Sequence, residues 1–162
     1  MTVRLATPDD VALVVSLKNG QRPLIDAIFG PSEDWTEEIA LNVINDPGSR
    51  IYLYNAEGML YVIRRSPREE YGVTVCLSQA GTLKQRMARF KAALHEFGVW
   101  FTDCIAAGVT ECRWTWPDSE RSFSRTAGWD RLGQFGTSSV DENGMRTWRV
   151  TPEQGQAGLA TV

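Results

Sequence analysis

The chain has 162 residues, the size of one domain, which is enough to bury a core without disulfides or a metal ion. Its formal net charge of -3 speaks against a general nucleic-acid binder, because such proteins normally carry an excess of lysine and arginine. The balance of 43% hydrophobic and 23% charged residues is that of a globular protein, and no apolar run reaches the roughly 18 residues that a membrane span needs.

Few residues are available for thiol, histidine or metal chemistry. The three cysteines, Cys76, Cys104 and Cys112, include no C-x-x-C pair, so we predict reduced, buried thiols and no metal site. The single histidine, His95, lies on the flank of a predicted helix, where we expect a solvated or capping role. Residues 1–4 lack the apolar core of a signal peptide, which favours a cytoplasmic protein.

The first half of the chain predicts a strand, two helices and three further strands. Residues 2–6 form the first strand, and the sequence TPDD that follows is typical of a helix start. That helix ends at Gly20, residues 22–29 add a turn or two, and a second helix begins at Ser32. The three strands are predicted at residues 50–54, 59–64 and 71–77, the first two joined by a hairpin turn.

The longest predicted element is one amphipathic helix over residues 82–108. Thr82 and Gln85 have the spacing of a capping box, and Gly108 fits the left-handed residue after the last turn. The flanking strands at 71–77 and 109–116 predict a right-handed crossover between parallel neighbours. The apolar residues recur at steps of three and four and are predicted to share one buried face; they are Leu83, Met87, Phe90, Leu94, Phe97, Phe101, Cys104 and Ile105.

The last third predicts a short helix, two strands and a tail. The helix buries Phe123, and the strands follow at residues 129–135 and 145–151. Beyond them the chain is rich in Gly, Gln and Ala and has little to bury. We therefore predict one domain over residues 1–151 and a flexible tail over 152–162.

The element order β-α-α-β-β-β-α-β-α-β-β resembles the α/β fold of the GNAT (GCN5-related N-acetyltransferase) superfamily. Residues 4–10, RLATPDD, look like the start of such proteins, and residues 122–129, SFSRTAGW, resemble their aromatic-then-Gly-aromatic segment after the fifth strand. The resemblance covers residues 2–151. It implies a mixed sheet that splays between the strands at 71–77 and 109–116.

Active members of this superfamily bind acetyl-CoA at the start of the long helix. A pyrophosphate needs several free main-chain N–H groups there, and glycines let the chain approach it closely. The family pattern is Gln or Arg, two residues, Gly, one residue, then Gly or Ala. In the QAGTLK segment of this chain Gln79 matches, Thr82 and Lys84 replace the small residues, and Gly81 fits a shifted register.

Basic residues cluster near this helix start, where the helix dipole disfavours cations. They are Lys84, Arg86, Arg89 and Lys91, and they form either a phosphate or acidic-partner patch or an exposed basic helix face. If the cofactor binds, the resemblance assigns it to Gln79, Gly81, Thr82, Lys84 and Arg86.

The residues expected at the catalytic end also differ from the family pattern. Many active members use a tyrosine of the short helix as general acid; that position is Ser124 here, and an alcohol is a much weaker acid than a phenol. Pro117 stands where an Asn often opens the segment.

Two carboxylates are candidates for a general base. Glu70 stands at the start of the strand at 71–77, and Glu111 stands on the strand that follows the long helix. Glu111, Arg113 and Thr115 share one face of that strand, which is either a pocket or a covered ion pair.

These departures favour a non-catalytic GNAT-fold protein that uses no cofactor and acts by binding a protein partner or by self-association. The resemblance extends to small GNAT-like virion-associated proteins of tailed bacteriophages, which implies a place in the host cytoplasm or the virion. The alternative is an acetyl-CoA-dependent N-acetyltransferase with a divergent pyrophosphate loop and a small amine as acceptor. The segment at residues 79–84 is the feature that discriminates between them.

Overall fold

The computed structural model describes residues 3–23, 26, 32–120 and 129–162. Its strands are β1 (Val3–Leu5), β2 (Ser49–Tyr54), β3 (Gly58–Ser66), β4 (Glu69–Leu77), β5 (Glu111–Pro117), β6 (Thr137–Val140) and β7 (Met145–Val150). The described helices are α1 (Val11–Gly20), α2 (Glu37–Asn45), α3 (Leu83–Glu96), α4 (Val99–Ala107), α5 (Trp129–Leu132) and α6 (Pro152–Leu159), with 3-10 turns at Pro8–Asp10 and Asp118–Glu120.

The seven strands form one mixed sheet in the order β1-β2-β3-β4-β5-β7-β6, which confirms the predicted α/β class. Helices α1 and α2 pack on one face through Val14, Leu17 and Ala40. The larger apolar cluster includes Phe97 and Trp100 and contains residues of α3, α4, β5 and β7. Within the described ranges, no helix has the length and hydropathy needed to cross a membrane.

Strands β4 and β5 are parallel neighbours, as the strand–helix–strand pattern predicts, but they pair over only part of their length. The pairing runs from Glu69 opposite Glu111 to Gly72 opposite Trp114. At the same point β4 has a bulge against β3, where Val73 is the extra residue. A bulge bends its strand and increases the local twist. The sheet therefore opens between the two strands beyond residue 72.

The predicted helix over residues 82–108 is two helices, because the chain breaks at Phe97 and Gly98. The Trp100 N–H reaches back three residues to the Phe97 carbonyl, a bond of 3.0 Å that tightens the turn. Gly98 lies against Leu159 of α6, so closely that a Cβ there would collide with that side chain. The capping box at the start of α3 and the left-handed Gly108 (φ 76°) are confirmed.

The predicted apolar face is correct in the middle and wrong at both ends. Phe97 and Phe101 are buried, whereas Leu83 is 65% exposed, Met87 48% and Ile105 41%. Periodicity shows which residues share a face of a helix. It does not show how far the rest of the fold covers that face.

The chain after β5 departs most from the sequence predictions. Residues 129–135, predicted as a strand, begin with helix α5, and the edge strand is β6 at Thr137–Val140. Residues 152–162 were predicted as a flexible tail, but Pro152–Leu159 form helix α6, and Thr151 is its N-cap residue. Its Gly155 and Gly158 are buried against the neighbouring helices. Small residues make this contact, so the segment lacks the large apolar residues by which a buried helix is usually recognised.

Three further predictions either change or fall wholly or partly on residues outside the described ranges. Helix α2 begins at Glu37 with Thr36 as its cap, rather than at Ser32. Of the predicted turn at residues 22–29, the structure describes helical residues at 22, 23 and 26. Phe123, predicted to be buried, lies outside the described ranges.

Candidate functional site

The last residues of β4 present main-chain groups to the opening between β4 and β5. Ser78 donates its N–H to the Glu57 carbonyl at 2.7 Å, on the β3 side. Successive residues of a strand point their N–H groups to opposite sides, so the N–H groups of Leu77 and Val75 point toward β5. Since β5 pairs with β4 only as far as Gly72, the opening has an unpaired strand edge within the described part of the sheet.

Gln21, just after α1, reaches into this opening. The Leu77 N–H donates to the Gln21 side-chain oxygen at 3.0 Å, and the Gln79 side-chain amide donates to the same oxygen at 3.1 Å. Gln79 also donates to the Leu77 carbonyl at 2.9 Å. Gln21 is not among the site residues predicted from the sequence. Its signal was a polar residue at the next step of the buried stripe begun by Val14 and Leu17.

The segment between β4 and α3 is held by long side chains that return to it. Arg89 donates to the carbonyls of Ser78 and Ala80 at 2.7 and 2.9 Å. Arg86 donates to the Gln79 side-chain oxygen at 3.4 Å. Gly81 has a φ of 93°, a left-handed conformation that favours glycine, and this explains its place in the loop.

The first turn of α3 has two of its main-chain donors already bonded. The Thr82 N–H donates to the Gln85 side chain at 2.8 Å, and the Gln85 N–H donates to the Thr82 hydroxyl at 3.2 Å. Lys84 is exposed on this turn. The Arg86 Nε atom is buried and has no hydrogen-bond partner among the described residues. The five residues that the resemblance assigns to the cofactor thus lie together around one helix start.

Glu70, one of the two carboxylates predicted as a general base, is buried among hydrogen-bond donors. It is 1% exposed, and both Arg50 and Arg64 form ion pairs with it; the Arg64 pair is 2.7 Å long. Trp100 donates to the carboxylate at 3.0 Å and the Cys104 thiol does so at 3.4 Å. Both oxygens of Glu70 are therefore already engaged as acceptors.

The pKa of Glu70 reflects these contacts. Burial by itself raises the pKa of the carboxyl, but hydrogen bonds from Arg64 and Trp100 and the charge of Arg50 outweigh it and hold the pKa below the ordinary value. A general base works best with a pKa near the operating pH. The geometry therefore favours a structural role for Glu70 over the predicted catalytic one.

Glu111, the other predicted base, is partly open to solvent. It pairs with Arg113 at 3.2 Å and with Arg149 at 3.7 Å, and its side chain is 34% exposed. Arg113 also pairs with Glu69 on β4 at 2.9 Å, so this cluster bridges β4 and β5 where the two strands are paired, before the opening begins. Thr115, on the same face of β5, lies 3.1 Å from the Thr147 hydroxyl.

The remaining predicted residues lie elsewhere or beyond the described ranges. Ser124 is not among the described residues. Pro117 is the last residue of β5 and pairs with Met145 of β7. The thiols of Cys76, Cys104 and Cys112 are buried and free, and the described residues contain no group of three or more His, Cys, Asp or Glu arranged to hold a metal ion. His95 is exposed on α3, with its ring 3.0 Å from the Val162 carbonyl oxygen.

The fold of the chain is similar to that of known acetyltransferases, although its sequence is not. No protein-family model and no curated protein sequence matches the chain. An N-acetyltransferase from Staphylococcus aureus Mu50 superposes with a TM-score of 0.67 at 10% identity, covering 93% of this chain and 97% of that one. Aminoglycoside 6'-acetyltransferase type Ii superposes with a TM-score of 0.65 at 11% identity, covering 94% and 97%.

A third similar structure is a chimera of the spermidine N-acetyltransferase SpeG from Vibrio cholerae and hSSAT. Its TM-score is 0.67 at 11% identity, and the match covers 96% of this chain and 97% of that one. Each of the three matches thus covers nearly the whole length of both chains. The chain has the fold of the GCN5-related N-acetyltransferases.

Proposed function

We propose that this protein binds an acyl-coenzyme A in the opening between β4 and β5 and transfers its acyl group to an amine. The observation that carries the proposal is the unpaired edge of β4 inside the sheet. Val75 has no strand partner on that side among the described residues, since the β5 pairing ends at Gly72. An unpaired strand edge forms hydrogen bonds readily with another extended chain of amide groups.

The chemistry of coenzyme A fits the groups around the opening. Its pantetheine arm contains two amides, which match the main-chain donors and acceptors of a strand edge. Its phosphates need cations or N–H groups, and the start of α3 offers the exposed Lys84 and Arg86, whose Nε atom has no hydrogen-bond partner in the described part of the chain. When bound, the coenzyme supplies an activated thioester. Lys84 and Arg86 are the residues that we assign to its phosphates.

The acceptor amine must lose a proton, and Glu111 is the group that we assign to receive it. Its carboxylate is accessible to solvent, unlike that of Glu70, and it lies on β5 three residues before Trp114, the last residue of β5 that pairs with β4. Arg113 and Arg149 hold the carboxylate in place. Ser124 remains the predicted general acid. Two of the similar structures are named for amine acceptors, an aminoglycoside and spermidine, which supports an amine acceptor here.

A second candidate is a non-catalytic GNAT-fold protein that binds a protein partner, such as a virion-associated protein of a phage. The capping box favours it, because the bonded N–H groups of Thr82 and Gln85 are withdrawn from a pyrophosphate. The exposed Leu83 and Met87, next to Lys84, would then form the apolar part of a surface that binds the protein partner.

Calorimetric titration with acetyl-CoA separates the two functions. We expect a micromolar Kd, about -8 kcal/mol, that is lost in Lys84→Glu and in Arg86→Glu. Lys91→Glu is the matched control: it makes the same charge change on an exposed part of α3 two turns further on, and should leave the Kd nearly unchanged. Acetyl transfer to a panel of amines should then fall strongly in Glu111→Gln. Absence of binding at millimolar acetyl-CoA would reject the enzyme and leave the non-catalytic candidate.

A further inference from the structure

We propose that Gln21 acts as a latch that closes the open edge of β4, so that acyl-coenzyme A has to displace it. The proposal rests on the function proposed above. Gln21 accepts the Leu77 N–H at 3.0 Å, and that N–H points into the opening in which the coenzyme is proposed to lie. A ligand that bonds along the edge of β4 reaches Leu77 after Val75. It therefore meets a donor that the Gln21 side chain already occupies.

The latch is held from both of its ends. At the α1 end, Val14 and Leu17 are 0% and 5% exposed and anchor the helix on the sheet, and Gln21 continues their face. At the loop end, the Gln79 side chain donates to the Gln21 oxygen at 3.1 Å and to the Leu77 carbonyl at 2.9 Å. Both main-chain groups of Leu77 are thereby bonded to glutamine side chains instead of to a neighbouring strand.

The burial of Gln21 indicates that this contact is specific. Gln21 is 8% exposed, and a buried side-chain amide without partners would be unfavourable by the desolvation of its polar atoms. The Gln21 side-chain oxygen avoids this cost because it accepts two hydrogen bonds, one from the Leu77 N–H at the strand edge and one from Gln79 in the loop that precedes α3. Releasing the latch frees the Leu77 N–H and removes one of the two bonds that the Gln79 amide donates, while its bond to the Leu77 carbonyl remains. One side chain thus connects the strand edge to the predicted phosphate loop.

The test replaces Gln21 with a side chain of similar size that has no strong hydrogen-bond acceptor. Acetyl-CoA is titrated calorimetrically into the wild-type chain, Gln21→Met and Gln21→Ala. Gln156→Met, the same substitution on the surface of α6, serves as the control. We expect both Gln21 variants to bind about two- to tenfold more tightly than wild type, the range that one net hydrogen bond corresponds to. Gln156→Met should bind like wild type.

Two further measurements give a second readout, and the first of them needs only the wild-type chain. The side-chain amide signals of Gln21 in NMR spectra should move toward those of a solvent-exposed glutamine as acetyl-CoA saturates the wild-type chain. Hydrogen exchange at the Leu77 amide should be faster in free Gln21→Met than in free wild type, and slow again in the complex. Unchanged Gln21 signals in a saturated complex contradict the latch even if the variants fold poorly.

The outcomes separate this inference from the proposed function. If wild type binds and the Gln21 variants bind equally or more weakly, the latch is wrong and the function stands. If the variants bind and wild type does not, the latch is supported and the wild-type enzyme is rejected. If none of the proteins binds acetyl-CoA, both the function and the latch are rejected.

Discussion

The indole N–H of Trp100 donates a hydrogen bond of 3.0 Å to the carboxylate of Glu70 and so joins helix α4 to strand β4. The same carboxylate pairs with Arg50 and Arg64 from β2 and β3. One buried acid thus connects three neighbouring strands and a helix. It lies at the level where β4 and β5 are still paired, since Glu70 stands opposite Cys112.

Replacement of Glu70 by glutamine should destabilise the protein strongly. The substitution removes the anion that Arg50 and Arg64 share, and breaking a buried ion pair from one side typically costs about 3–5 kcal/mol. Urea denaturation measures the loss. Glu111→Gln is the control, because its partly exposed pairs predict a loss within about 1 kcal/mol. Equal losses in the two variants would contradict the role assigned to Glu70.

The contribution of Glu70 should also depend on pH. Its pKa is lower in the folded chain than the ordinary value of 4.5, so its ionised form is stabilised by folding. That contribution is fully present above pH 4.5 and is lost as the pH falls through the lower pKa of the folded state. The stability difference between wild type and Glu70→Gln should therefore shrink as the pH is lowered below 4.5. Denaturation curves at several acidic pH values test this.

Truncation to alanine should destabilise the protein at the buried Phe97 and Phe101 but not at the exposed Leu83 and Met87. Phe97 and Phe101 are 4% and 3% exposed, so each change to alanine should cost about 3–5 kcal/mol through lost burial and a cavity. Leu83 and Met87 are exposed at the start of α3, and their alanine variants should stay within about 0.5 kcal/mol of wild type. Large losses at Leu83 and Met87 would show that another surface covers them.

Alanine at Gly155 should destabilise the chain although alanine is the better helix former. A Cβ at this position would lie 2.5 Å from the ring of Phe101, so α6 would have to move away from α4. Overpacking of this kind costs about 1–3 kcal/mol. At Gly20, the end of α1, a Cβ meets nothing within 4 Å, and Gly20→Ala should be neutral or slightly stabilising. Thermal unfolding of both variants tests whether α6 is docked as described.

Asp10 should titrate at unusually low pH. A hydrogen bond from Arg4, together with the Thr7 N–H, lowers the pKa of Asp10 to about 2 against the opposing effect of burial. Its stabilising contribution is therefore lost as the pH falls from about 4 toward 2. In Arg4→Ala the pKa should rise toward the ordinary value of 3.8, whereas Arg22→Ala, which removes a different cation, should leave it in place. Carboxyl carbon NMR of Asp10 measures both.

Local sequence predicted the elements whose signals are local. The hairpin of β2 and β3 is confirmed, since its turn and alternating pattern are both short-range features. The Thr82–Gln85 capping box and the left-handed Gly108 are confirmed for the same reason. The parallel pairing of β4 and β5 also follows from sequence, because a strand–helix–strand unit has few ways to close.

Contacts between distant segments decided the rest. The environment of Glu70 comes from four elements, and only folding brings Arg50, Arg64 and Trp100 to one carboxylate. Gln21 and Leu77 are 56 positions apart in the sequence, so no local pattern near either residue predicts their hydrogen bond. The sequence by itself determined the order of the strands from β1 to β5 and hence the fold class. The tertiary structure alone decided which polar groups are already bonded, because a hydrogen bond depends on distance in space and not on spacing along the chain.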